Sequence, residues 1–152
     1  MKKVIGYLTL MFSIVGCINN HVLAYTYTGV EISNKFNELQ SIIISYEYED
    51  GRISDKNAII YKMKNNECAI AAVLNNESNF GGYEDVIYFS NKKMQSGYTR
   101  SFFSIFIDKE ATKKSKKINY DEFMNDFDTQ SELRTDFIKY LKKMNKNTLS
   151  KC

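Results

Sequence analysis

The chain has no proline and no tryptophan, and a single histidine, His21, in 152 residues. Without tryptophan it lacks the usual stacking platform for sugars. Its one imidazole sits too near the N-terminus to serve a folded domain if that end is removed. Ser-His-Asp and Cys-His catalysis and the common histidine zinc sites are then excluded, because each needs an imidazole that binds or moves a proton near neutral pH. No Cys-x-x-Cys occurs, which speaks against thioredoxin-like redox work. No glycine-rich phosphate loop or dinucleotide fingerprint occurs either. Mechanisms built on lysine and serine or on carboxylates alone survive this filter. No cofactor and no metal is expected.

The N-terminal residues carry the clearest positive signal. Lys2 and Lys3 precede an uncharged apolar run from Val4 to Val15, and the polar stretch Asn19-Asn20-His21 leads into Val22-Leu23-Ala24. This is the layout of a secretory leader cut after Ala24. The run is shorter than the roughly 20 apolar residues that span a bilayer. Residues 1–24 are therefore expected to be an export signal and 25–152 a single domain. Ile14-Val15-Gly16-Cys17 also fits a lipoprotein signal, with Cys17 lipidated as the new N-terminus. In that case the membrane would be met only through a lipid anchor.

Either cut leaves two cysteines, Cys68 and Cys152. An even pair in an exported chain reads as a disulfide and favours a periplasm. Loss of Lys2 and Lys3 leaves 19 basic against 18 acidic residues. So balanced a chain has no global pull toward nucleic acid or an anionic membrane.

The remainder reads as a meander of strands followed by helix. Ser33 suits a helix cap, with Phe36, Leu39 and Ile43 at helical spacing. Ile42, Ile44, Tyr46 and Tyr48 alternate as strand residues do. Asp50-Gly51 is a hairpin signal. A return strand is expected over Arg52–Met63 with a bulge at Asp55–Asn57, then a turn at Asn65-Asn66. Strands are also expected over Cys68–Leu74, Tyr83–Ser90 and Tyr98–Ile107, with Asn75–Gly82 and a segment holding Asn91 and Gly97 as loops. Asn119 with Glu122, and Thr129 with Glu132, have the spacing of helix capping boxes, and Ile118 with Phe123 that of a hydrophobic staple. Phe123, Phe127, Leu133, Phe137, Leu141 and Met144 form an apolar stripe. The expected fold is α+β: an antiparallel sheet of about five strands, packed on one face against the C-terminal helical segment, with a short N-terminal helix.

Eleven tyrosines and ten phenylalanines stand out in this composition. Tyrosine supplies contact area at protein interfaces, so Tyr46, Tyr48, Tyr83 and Tyr88 are candidate partner-binding residues. A lysine-rich run, with Lys113, Lys114, Lys116 and Lys117, is a candidate grip for an acidic partner, although such runs are usually just solvated. Carboxylates at Glu47, Glu49 and Asp50 and at Glu84 and Asp85 admit a glycoside-hydrolase pair. The expected function is non-enzymatic: an envelope protein that binds another envelope or secreted protein as an inhibitor, immunity protein or accessory subunit. The alternatives are a secreted virulence-type factor acting on another cell and a small carboxylate-dependent hydrolase.

Overall fold

The computed structural model describes residues 26–47, 51–76, 81–104 and 118–152. The leader, Cys17, Tyr48, Glu49, Asp50 and the lysine run 109–117 lie outside the described residues. The elements are α1 (Gly29–Lys35), β1 (Asn37–Glu47), β2 (Ile53–Lys62), β3 (Cys68–Asn76), β4 (Gly81–Ser90), β5 (Lys93–Ser104), β6 (Ile118–Met124), α2 (Phe127–Lys143) and α3 (Lys146–Lys151). The six strands form one sheet in sequence order, every neighbouring pair antiparallel.

Local chemistry places the turns. Asn65 and Asn66 join β2 to β3, and Asn91 and Lys92 join β4 to β5, and all four have positive φ. Two consecutive left-handed residues make the hairpin turn whose twist matches that of the strands. Gly97, expected in a loop, lies inside β5 instead. A Cβ there would sit 3.1 Å from Leu133 Cδ1 of α2, so its bare backbone lets the helix approach the sheet.

The sheet is covered on both faces, where one was expected. On one face Ile42, Ile44, Ile60, Ile70, Ile87 and Phe89 pack against Leu133, Phe137, Tyr140 and Met144 of the C-terminal helices. On the other, Ile32 of α1 packs with Tyr61, Met63, Val86, Tyr88 and Tyr98. Strands buried on both sides read as continuous apolar runs, which is the pattern of Cys68–Leu74.

Several boundaries differ from expectation for definable reasons. Ser33 lies within α1, and the cap is Thr28, whose side chain and that of Glu31 form a capping box. Leu39 and Ile43 belong to β1. No bulge occurs at Asp55–Asn57, where β2 keeps register with both neighbours; the irregularity falls between Glu38 and Gln40 of β1. Residues 118–124, with the spacing of a helix start, form the sixth strand because β5 offers an edge. There Tyr120 meets Phe102 and Phe123 meets Tyr98, ring against ring. The first C-terminal helix starts later, capped by Asp126, and ends at its C-cap Met144, after which Asn145 caps a second, short helix. Phe123 and Phe127 thus leave the expected stripe. Phe127 precedes Leu133 by six residues, which is not a helical spacing, and is 85% exposed.

Candidate functional site

Strand alternation on β2 points Ser54, Lys56, Ala58 and Ile60 to the α2 face, and Lys56 is buried there among apolar neighbours. A buried ammonium needs partners, and two carboxylates supply them. Lys56 Nζ contacts the carboxylate of Asp85 on β4 and lies 3.0 Å from Asp136 Oδ2 on α2. The Thr99 hydroxyl donates to Asp85 Oδ1 at 2.8 Å. Lys139 donates to Asp136 Oδ1 at 3.0 Å. The ring of Tyr46 lies 5.4 Å from the Lys56 ammonium and 4.4 Å from that of Lys139. The fully buried Tyr140 packs nearby and closes the cluster from the helix side.

These contacts set the charge states. Burial opposes the charge on Lys56, but Asp85 and Asp136 outweigh it and hold the ammonium above its ordinary pKa. Burial likewise opposes the charge on Asp136, but the neighbouring Tyr46 hydroxyl, Lys56 and Lys139 hold it below its ordinary value. Burial drives the hydroxyls of Tyr46 and Tyr140 well above the usual tyrosine range. Lys56 is thus held as the ammonium and Asp136 as the carboxylate, an ion pair at neutral pH.

The cluster forms the base of a cleft of about 240 Å³ between the first turns of α2 and the strands. Leu74, Leu133 and Met124 give it apolar walls, and Tyr83 stands on its lining, 48% exposed.

The strand places Glu84, one residue before Asp85, on the opposite face. Its carboxylate accepts the Gly29 N–H at 2.9 Å and the Tyr120 hydroxyl at 2.8 Å. Beside it the Arg100 guanidinium lies 5.0 to 5.8 Å from the rings of Tyr98, Phe123 and Tyr120. Burial raises the Glu84 carboxyl above its ordinary pKa, against the pull of those two donors and of Arg100.

Of the residues singled out in the sequence, Cys68 and Cys152 are joined as a disulfide, their Cα atoms 5.5 Å apart. Tyr83 is exposed. Tyr46 is half-buried in the ion cluster. Tyr88, expected at a binding surface, is a core residue on the α1 face, 2% exposed, on a strand covered on both sides. Tyr48 and Lys113, Lys114, Lys116 and Lys117 lie outside the described residues. Glu84 and Asp85 face opposite sides of the sheet and do not form a pair, and Glu47 is exposed on β1. The carboxylates that do converge are Asp85 and Asp136, with Lys56 between them. Two signals mark this cluster in the sequence: a lysine at an inward strand position and an aspartate within the apolar stripe of a helix. Among the described residues no group of three or more His, Cys, Asp or Glu is placed to hold a metal, and no helix is long and apolar enough to cross a membrane. No family model, curated protein or solved structure matches the chain.

Proposed function

We propose that this chain is a small exported bacterial envelope protein that binds another protein, as an inhibitor, immunity protein or accessory subunit, and that it docks through the cleft at Tyr83. The observation that carries the reading is the exposure of Tyr83 beside a concave, partly apolar surface. A large aromatic ring left half in water at a cleft is the kind of anchor that protein partners use. The charges at the base of the cleft are already paired, which favours binding over turnover. The hydrolase alternative loses ground on the same grounds, since each converging carboxylate is engaged by a lysine. Export through residues 1–24, by cleavage after Ala24 or lipidation of Cys17, and residence in the periplasm complete the proposal, together with the disulfide.

The test is photo-crosslinking in the producing cell, with a benzophenone amino acid at position 83 and, as control, at Ile43, which is exposed on the other side of the sheet. A discrete adduct with one protein from position 83 alone supports the reading. No adduct from position 83, or the same adducts from both positions, refutes it.

A further inference from the structure

We propose that Lys56 and Asp85 react within the folded protein to form an isopeptide bond, Nζ to Cγ, with Asp136 as the proton carrier. The reactants are already together. The Lys56 ammonium touches the Asp85 carboxylate, and both side chains are buried. On the sheet, Lys56 pairs with Leu74 and Asp85 with Ala72, so the lysine stem crosses β3 beside the small Ala72 side chain. Held in this way, amine and carboxyl react as one molecule, without the entropy loss of bringing two together.

The surrounding groups match the needs of the step. Asp136 Oδ2, 3.0 Å from Nζ, accepts a proton from the ammonium, an uphill transfer because the ion pairs hold both groups charged, and exposes the nitrogen lone pair for a reaction that each molecule undergoes once. The nitrogen attacks Asp85 Cγ. Thr99 donates to Asp85 Oδ1 at 2.8 Å and supports the charge that grows on that oxygen as the tetrahedral centre forms. Asp136 delivers the proton to Oδ2, the C–Oδ2 bond breaks, and a second nitrogen proton follows by the same route. The ammonium and carboxylate become one amide and one water, with two protons moved from nitrogen to the departing oxygen. Asp136 ends as it began, and no oxidant, nucleotide or metal is consumed. The water leaves through the adjoining cleft, which Lys56, Asp85 and Asp136 all line. Lys139 holds the other oxygen of Asp136 and keeps that carboxylate in place. This also explains why a lysine occupies an inward position on β2: the product is a neutral amide, which removes two buried charges and covalently ties β2 to β4.

Mass spectrometry of the purified, denatured protein decides it. The expected result is a mass one water below that of the processed, disulfide-bonded chain. Tryptic digestion should give a branched peptide holding both Lys56 and Asp85, uncut after Lys56. Recovery of the two unlinked peptides in full, at the mass of the unmodified chain, overturns the proposal. Two variants probe the chemistry. Asp85→Asn should still link but lose ammonia in place of water. Asp136→Ala should leave Lys56 and Asp85 unlinked; linkage at the wild-type level there would remove Asp136 from the mechanism. If Asp136→Ala fails to fold, the mass of the wild-type protein still decides.

Discussion

At the scale of single residues, two phenylalanines of similar appearance in the sequence have opposite roles. Phe137 is buried, its ring centroid 5.2 Å from that of Phe89 on β4. Phe127 is the first residue of α2 and stands in water. Truncating a buried phenylalanine removes its transfer energy and leaves a cavity, so Phe137→Ala should cost about 3–5 kcal/mol. Phe127→Ala should stay within about 0.5 kcal/mol, as surface changes do. Urea unfolding of both variants measures the contrast; equal losses would mean that α2 is seated differently on the sheet. The same reasoning separates the tyrosines. Tyr88 and Tyr140 are core material and Tyr46 belongs to the ion cluster, which leaves Tyr83 as the described candidate that recognition can use without cost to folding.

At the scale of elements, Glu84 is the link between α1, β4 and β6. It receives the first N–H of α1 and the hydroxyl of Tyr120, so one carboxylate ties three elements together. Its burial sets a sign for the pH response. Because the folded carboxyl lies above its ordinary value of 4.5, the protonated form favours folding. That contribution is fully present below the ordinary value and is lost as pH rises through the raised one. A glutamine would keep both links, its oxygen accepting from Gly29 and its nitrogen donating to Tyr120, and would carry no charge. Glu84→Gln should therefore gain in urea midpoint relative to wild type as pH rises from below 4.5 to neutral; a gap that stays constant over that range would contradict the assignment. Elements whose own period dominates, such as β3, β4 and the body of α2, were legible from the residues alone, as was the disulfide. Tertiary choices were not. Residues 118–124 satisfy a helix start and a strand equally well, and an open edge on β5 decided between them. Lys56 disguised an unbroken strand as a bulge, since a charge at an inward position looks like a fault until its two carboxylates are found, one 29 and one 80 residues away.

At the scale of the whole molecule, the sheet order follows the chain order, so most contacts between elements join strands that are consecutive in the chain. The exceptions bring the C-terminal helices back over the sheet. On the β1 edge, Gln40 accepts the Asn145 N–H and donates to the Lys143 carbonyl, while Lys143 donates to the Ile43 carbonyl. At the far end the tail is held three times: by the disulfide to Cys68, by the Lys62 ammonium on the Lys151 carbonyl, and by the Asn91 N–H on the Cys152 carbonyl at 2.6 Å. The third helix, with six residues, is far too short to persist unaided; Thr148, Cys152 and these tethers keep it in place. The disulfide closes a separation of 84 residues, and the chain-entropy model assigns a loop of that size about 4.5 kcal/mol. Reduction should therefore lower the urea midpoint clearly. It should also act unevenly. The third helix depends on its tethers and should lose amide protection first. The body of α2 is seated by Leu133, Phe137 and Tyr140 and should keep its protection. Hydrogen exchange on the oxidised and reduced protein, with thiols counted by alkylation, reads both effects. An unchanged midpoint with both thiols free would show that packing alone holds the tail, and equal loss of protection in both helices would show that the C-terminal segment opens as one unit.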